Sequence, residues 1–281
     1  MLKQDLNQEA KFSGIYDIRL LFQKENKNLS NDILYNKLLE KFVHVDVVAK
    51  SGLSSFALTE HQVEYEGGKK APAQVIITEF MPIKEPIGDD IIRTQFWDCP
   101  NGVELLDSCS WQIMVSDFMA RGLPALERAE ILSDLLEVAL DIFPSCVGVY
   151  FSSSGKLLTA EGARNNPYSG PCRFFHGGVN ARFFNVQNSD SMVVDTLGLY
   201  ALNLPDVQYH FRNLDPNSVV RHAYNTAIYQ FKNNVPIESG NTIEGIEAGS
   251  RWKCQYENSL IQPVREVLDI FTNEFVAGNR E

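Results

Sequence analysis

The chain has 281 residues, of which 44% are hydrophobic and 22% charged, and its 36 acidic and 25 basic residues give a formal net charge of −11. This composition is typical of a globular protein that is long enough to bury a sizeable core. An acidic chain with no Lys/Arg-rich block is poorly suited to neutralising phosphates, so neither nucleic acid nor an anionic membrane is an expected partner.

Cysteine usage and hydropathy indicate where the protein works. The five cysteines, Cys99, Cys109, Cys146, Cys172 and Cys254, are odd in number and form no CxxC pair, which is typical of reduced thiols. No apolar run approaches the roughly 20 residues that a membrane helix needs. The opening MLKQDLNQEAKFSG lacks the apolar core of a signal peptide. We therefore predict a cytoplasmic protein.

The first 81 residues predict a polar, disordered tail at 1–14 and an N-terminal α+β subdomain at 15–81. Ser30 is placed to cap a helix whose apolar residues recur at helical spacing. The glycines and proline of EGGKKAP predict the turn of a hairpin. The predicted strands are 18–22, 45–49, 56–65 and 75–80.

Residues 82–110 predict a long connection and a domain boundary, because they contain several prolines and little periodicity. Long connections in compact proteins are often functional. Arg93, Phe96 and Trp97 lie in this connection, and Trp and Arg dominate the binding energy of many interfaces. These three residues are therefore candidates for partner binding. The alternative is that Phe96 and Trp97 pin the connection to the core.

Residues 111–281 predict a C-terminal α+β domain, which packs either separately or as one unit with the N-terminal part. One helix opens at Pro124, and a second is capped by Asp215 with Pro216 as its first residue. A short helix is predicted near 192–202. The predicted strands are 111–118, 147–151, 179–186, 207–212, 242–246 and 251–256. The whole predicts an α+β fold with mixed, mostly antiparallel sheets, helices on one face and recurring β-α-β units, for which a ferredoxin-like arrangement is one candidate.

The strand at 207–212 carries the candidate reaction centre. Strand alternation places His210 and Arg212 on one face, and a histidine that acts as a general base needs an orienting carboxylate. Asp206 or Asp215 could supply it. The competing interpretation is local, since Asp206 ends a turn, Asp215 caps a helix and His222 lies within that helix.

Thiol and metal chemistry receive little support from the spacing of the candidate residues. Cys172 and His176 in CRFFHGG are four residues apart and would share a face of a strand, but a zinc site needs three or four ligands. Cys172 and Cys254 remain candidate nucleophiles, because a Cys–His pair can form between distant parts of a chain. VYFSSSGKL fails the phosphate-loop pattern, and HExxH, GxSxG and EF-hand patterns are absent. No metal or cofactor is expected.

The stretch GLYALNLPDVQYHFRNLDPNSVVRHAYN resembles the C-terminal signature of a family of uncharacterised bacterial proteins, domain of unknown function four-two-six-one. WQIMVSDFMA, ERAEIL, GGVNARFFNV, WKCQYE and AGNR are similar to other parts of its members, so the resemblance covers most of the chain. It implies a bacterial, cytoplasmic protein and supplies no activity, cofactor or catalytic residue.

Two functions remain. The first is a non-catalytic protein-binding or accessory module, such as an immunity-type protein opposite a basic toxin or effector. It is favoured because no catalytic motif accompanies the well-patterned core, and because acidic charge favours a basic partner. The alternative is a hydrolase-type enzyme with its site around Asp206, His210 and Arg212. The sequence does not determine the oligomeric state.

Overall fold

The computed structural model describes residues 15–27, 30–49 and 53–278, and the chain divides into two compact units. The N-terminal unit is Gly14–Gly178, and the C-terminal unit contains Val179–Glu281. The predicted tail at 1–14 lies outside the described residues. The α+β class with mostly antiparallel sheets is confirmed. The finer, ferredoxin-like arrangement stays a prediction.

An eight-stranded antiparallel sheet forms the centre of the N-terminal unit. The order across it is β2-β3-β4-β6-β1-β7-β8, with β5 paired to β6. Its strands are β1 (Asp17–Phe22), β2 (Val45–Ala49), β3 (Leu53–Tyr65), β4 (Lys69–Thr78), β5 (Met81–Pro82), β6 (Trp111–Phe118), β7 (Gly148–Phe151) and β8 (Lys156–Thr159). Its helices are α1 (Asn31–Leu38), α2 (Asp90–Arg93), α3 (Gly102–Ser108), α4 (Ala125–Ile142), α5 (Ala160–Arg164) and α6 (Phe174–Gly178), with a 3-10 turn at Gly170–Arg173.

Helix α4 packs against this sheet through an apolar stripe. Ile18 of β1 lies opposite Val115 of β6, and both side chains are buried. Leu132 and Leu135 of α4 are also buried, because a spacing of three to four residues keeps them on one face of the helix. The helix begins directly after Pro124, as predicted. This stripe and the sheet together form the core of the unit.

The segment 82–110 lies within the N-terminal unit, whereas the predicted boundary placed it between domains. β6 pairs with β1 and also with β4, so strands from both sides of the segment belong to one sheet. The segment forms β5, α2 and α3, and its apolar side chains join one buried cluster. That cluster contains Leu21, Ile87, Phe96, Cys99, Leu106, Cys109, Tyr150 and Leu157. The division of the chain falls instead between Gly178 and Val179.

A six-stranded sheet forms the C-terminal unit, in the order β12-β13-β14-β11-β10-β9. Only the pairing of β11 with β14 is parallel. Helix α7 (Pro216–Lys232) packs on β9, β10 and β11. Asp215 caps it by accepting a hydrogen bond from the Ser218 amide, as predicted. The strands are β9 (Asn180–Asn185), β10 (Met192–Leu197), β11 (Asp206–Phe211), β12 (Thr242–Glu244), β13 (Arg251–Asn258) and β14 (Glu266–Phe271), with 3-10 turns at Leu199–Leu202 and Asn273–Phe275.

Two local predictions of secondary structure are corrected. The predicted helix near 192–202 is strand β10 followed by a short 3-10 turn. The strand is favoured because Val193, Val194 and Thr196 are β-branched and pack well on a sheet. Cys172 and His176 lie in the 3-10 turn and in α6, so they do not share a strand face. Within the described ranges, every helix is too short or too polar to cross a bilayer.

Candidate functional site

Asp206, the first residue of β11, is a fully buried carboxylate with several hydrogen-bond donors. Its oxygens accept from the Thr196 hydroxyl at 3.0 Å, the Leu199 amide at 3.1 Å and Nε of Arg265 at 2.9 Å. The amides of Gly198 and Tyr200 also donate to it. Burial raises the pKa of Asp206, while Arg265 and the Leu199 amide act in the opposite direction. This carboxylate holds the turn after β10 in place and has no free face for a substrate.

Asp206 belongs to a larger buried Arg–Asp cluster, which consists of Arg182, Asp195, Asp206 and Arg265. Arg265 bridges the two carboxylates, with its Nη2 atom 2.7 Å from Asp195 and its Nε atom 2.9 Å from Asp206. Arg182 makes a two-pronged contact with Asp195 at 2.9 and 2.6 Å. Burial alone would raise the pKa of Asp195, but Arg182 and Arg265 hold it below its usual value. Two guanidinium groups therefore neutralise two carboxylates inside the C-terminal unit.

His210 lies four residues along β11 from Asp206, a separation of about 13 Å at the usual rise of a strand. Its side chain is buried, and Nε2 is 3.0 Å from the Ser191 hydroxyl. The ring packs so closely against Gly278 that a Cβ atom there would lie 2.5 Å from Nδ1. Arg212 is exposed at the end of the strand. Strand geometry thus keeps His210 apart from the Asp206 carboxylate.

His222 of α7 is half-buried and makes two polar contacts in the same unit. Its Nδ1 atom is 2.6 Å from the Tyr209 hydroxyl, and Nε2 is 2.8 Å from the Glu244 carbonyl. Because the carbonyl only accepts, Nε2 carries the proton and Nδ1 accepts from Tyr209 in the neutral ring. Burial lowers the pKa of His222, which favours that neutral form. Asp215, by contrast, is exposed and serves as a helix cap.

The two candidate thiols lie in different units and different environments. Cys254 is fully buried in β13, and burial raises the pKa of its thiol to about 11. A nucleophilic cysteine needs the thiolate, which this environment disfavours. Cys172 is half-buried in the N-terminal unit. Across the residues that the structure describes, no group of three or more His, Cys, Asp or Glu side chains could hold a metal ion.

Trp97 is the most exposed large aromatic side chain described, with 57% of its surface accessible, and its indole is nevertheless anchored. Nε1 donates to Oε1 of Gln95 at 3.2 Å, and Gln95 is itself buried. The other amide atom of Gln95 donates to the Thr94 hydroxyl at 2.9 Å, and that hydroxyl donates to the Ile91 carbonyl at 2.7 Å. A chain of three hydrogen bonds therefore orients an exposed indole.

The other two candidates for partner binding have structural partners. Phe96 is 7% exposed and belongs to the buried cluster under the segment. Arg93 donates from Nε to the Ile87 carbonyl at 3.2 Å and pairs with Asp107 at 3.0 Å. Phe96 thus attaches the segment to the core, and Arg93 links two parts of the segment to each other. Of the three residues, only Trp97 is exposed.

The exposed charged side chains of the segment that contains Trp97 are mostly acidic, with Lys84 as an exposed base. Between residues 82 and 110 there are six acidic and two basic residues. Asp98 and Asp107 are paired with Lys156 and Arg93, whereas the other acids form no ion pair with a described residue. We define the Trp97 surface as the exposed side chains of Glu85, Asp90, Ile91, Trp97, Val103 and Glu104.

Comparison with known proteins gives one match. Residues 195–271 match the sequence profile of a family described as Domain of unknown function (DUF4261). The expected resemblance is thus supported for β10 to β14 and not for most of the chain. No curated protein and no solved structure gives a significant match. The matched residues include most of the buried Arg–Asp cluster and exclude the Trp97 surface.

Sequence reasoning identified Trp97 and one member of the Arg–Asp cluster, Asp206, but it missed Gln95 and the other three members of the cluster. A signal for the cluster was present, because Arg182 lies between Ala181 and Phe183 in β9 and Asp195 follows two valines in β10. A charged residue within such a strand is buried with a partner or marks an exposed face. No signal in the sequence identifies Gln95, since its role depends on where the Trp97 indole lies.

Proposed function

We propose that this chain is a non-catalytic protein-binding module that binds a basic partner protein through the Trp97 surface. The observation that carries the proposal is an exposed indole held by a buried glutamine. Single exposed apolar residues are ordinary on protein surfaces and indicate nothing alone. An exposed tryptophan whose orientation is already restrained loses less side-chain entropy when a partner binds, and this favours its use in an interface.

The surroundings of Trp97 suit an interface anchor. Ile91 and Val103 add exposed apolar area on the same segment, and Phe96 holds that segment to the core. Interface hot spots are enriched in tryptophan, and truncating one to alanine costs 2 kcal/mol or more, which is roughly a thirtyfold loss of affinity. Trp97 therefore supplies the binding energy in this proposal, and its neighbours exclude water around it.

Charge selects the class of partner. Glu85, Asp90 and Glu104 are exposed acids without a described ion-pair partner, and the chain as a whole has a net charge of −11. Complementary charge speeds association and rejects acidic proteins, and salt weakens this effect. A basic protein is the matching partner. Such a surface would suit an accessory protein of immunity type that binds a basic toxin or effector.

The experiment compares three immobilised proteins in extract of the source organism. They are the wild type, Trp97→Ala and Tyr229→Ala, the last removing a matched aromatic side chain that is 52% exposed on α7. Retained proteins are quantified by mass spectrometry at about 50 mM and about 300 mM salt, which bracket physiological screening. We expect a basic protein that the wild type and Tyr229→Ala retain and Trp97→Ala loses.

The retained protein is then purified and titrated calorimetrically against the same variants. We expect Trp97→Ala to weaken binding about thirtyfold, and Glu104→Gln to reduce the salt dependence with a smaller loss. Equal retention by the wild type and Trp97→Ala would refute the proposal. The geometry of the described residues adds no support to the hydrolase alternative around Asp206, His210 and Arg212, which stays a prediction.

A further inference from the structure

A small open cavity of about 80 Å³ lies in the N-terminal unit between α4, β7, β8, α5 and α6. Its apolar wall includes Ile18, Leu132, Leu136, Phe151 and Phe174. The polar side chains that line it, which we call its rim, are Ser133, Glu137, Arg164, Asn166, Arg173 and His176. An apolar wall with a few convergent polar groups is the usual construction of a small-molecule site.

Two rim residues have hydrogen-bonding capacity that the described residues do not use. Arg164 donates from Nη2 to the Leu140 carbonyl at 2.9 Å and forms no ion pair with a described carboxylate. His176 donates from Nε2 to the Gly162 carbonyl at 2.7 Å, since a carbonyl can only accept. In the neutral ring, Nδ1 of His176 then carries a lone pair. The cavity therefore offers a guanidinium for an anion and an acceptor for a hydroxyl group.

The second rim arginine is already neutralised. Nη2 of Arg173 lies 2.9 Å from Asp134, and its Nη1 atom contacts Glu137. Lys41 pairs with Glu137 at 2.7 Å, so these charges form a closed surface network on α4. Arg164 is therefore the rim cation that an incoming anion would meet.

The size of the cavity limits the ligand. An apolar cavity of about 150 Å³ in another protein holds benzene, and one water needs about 10–15 Å³. About 80 Å³ thus encloses a chain of about three carbons, and a larger polar head would remain at the rim. We propose that this cavity binds a short-chain hydroxycarboxylate, with the carboxylate on Arg164, the hydroxyl donating to Nδ1 of His176 and the alkyl chain on the apolar wall.

The test uses 2-hydroxybutyrate as probe, with butyrate lacking the hydroxyl group and glycolate lacking the alkyl chain. Binding is followed by NMR of the isoleucine, leucine and alanine methyl groups. We expect dissociation constants in the millimolar range for so few atoms, shifts confined to methyl groups such as those of Leu132 and Leu136, and weaker binding of both comparison acids.

Two variants separate binding from folding. Arg164 is exposed, so Arg164→Gln is expected to fold normally and to weaken 2-hydroxybutyrate at least tenfold. Ala163→Val fills part of the cavity, and is expected to abolish binding without lowering the melting temperature. Arg221→Gln, an exposed arginine of α7, is the matched control and should leave binding unchanged. Shifts that lie elsewhere, no shifts at about 50 mM probe, or equal affinity of Arg164→Gln would overturn the proposal.

Discussion

Replacing Arg265 by methionine tests whether the buried Arg–Asp cluster holds the C-terminal unit together. The wild-type guanidinium donates to Asp206, to Asp195 and to the Thr196 carbonyl, and also to two carbonyls of the preceding loop. Methionine approximates the volume of arginine, so the change removes charge and hydrogen bonds rather than packing. Both carboxylates remain buried with one cation fewer.

The expected loss follows from those contacts. Removing one partner of a buried ion pair costs about 3–5 kcal/mol, because an uncompensated charge stays behind. Arg182 still neutralises part of Asp195, and the Thr196 hydroxyl still donates to Asp206, so we expect about 3–4 kcal/mol rather than the sum of two broken pairs. A typical fold has a free energy of unfolding of about 5–15 kcal/mol, so the loss is a large fraction of the total.

The loss should depend on pH with a definite sign. In the wild type, Arg265 and Arg182 hold the pKa of Asp195 below its usual value, so its contribution is complete above that value and is lost only in strong acid. In Arg265→Met the carboxylates lose a cation and their pKa values rise. The folded variant then takes up protons before the unfolded chain does. Its deficit is therefore largest at pH 7 and shrinks by pH 5.

Urea unfolding at pH 7 and pH 5 measures both quantities. Trp252 is buried in the C-terminal unit, and 5-fluorotryptophan labelling with 19F NMR separates it from Trp97 and Trp111. Arg251→Met, an exposed arginine of the same sheet that donates to Thr242, is the control and should cost under about 1 kcal/mol. A deficit below about 1 kcal/mol for Arg265→Met, or one that is equal at both pH values, would refute the reasoning.

Three further predictions concern Gly177, the thiols Cys172 and Cys254, and His222. Gly177→Ala places a Cβ atom 1.9 Å from the ring of Phe151, so the melting temperature should fall by more than about 5 °C. A fall of less than about 2 °C would contradict this packing. Cys172 should be alkylated at pH 8 well before Cys254, because Cys254 is buried and its thiol pKa is raised to about 11. Peptide mass spectrometry after brief iodoacetamide treatment measures the two rates. Equal rates are expected in urea, and equal rates in the native protein would contradict the burial of Cys254. His222 should titrate below pH 6.5 in NMR, because burial lowers its pKa. The contribution of the neutral ring to folding stability is therefore present above pH 6.5 and is lost as the pH falls through the pKa of the folded protein. A titration midpoint at or above pH 6.5 would disprove this.

Elements with strong local signals were predicted well from the sequence. The Ser30 cap, the hairpin of β3 and β4, and the Asp215–Pro216 start of α7 each depend on a few neighbouring residues. Strand β10 was missed because a short apolar run has no periodicity that separates strand from helix. Its identity comes from antiparallel pairing with β9 on one side and β11 on the other, and this pairing exists only in the folded sheet.

The candidate site was predictable only in part, for the same reason. Residue type was enough to single out Arg93, Phe96 and Trp97. Which side chain faces outward depends on the fit of the segment to Leu21 and its neighbours, and this fit cannot be deduced from local sequence. His210 attracted attention as a chemical residue, whereas the contacts of β11 bury it.

Photo-crosslinking from position 103, within the Trp97 surface, tests the central claim most directly because Trp97 itself stays intact. A benzoylphenylalanine residue replaces the exposed Val103 in one protein and Tyr229 in the control, and each is irradiated in extract of the source organism. We predict that position 103 gives one dominant adduct with a basic protein, suppressed by about 300 mM salt and by excess unlabelled wild type, and that position 229 does not give this adduct. The same adducts from both positions, or none from position 103, would contradict the account.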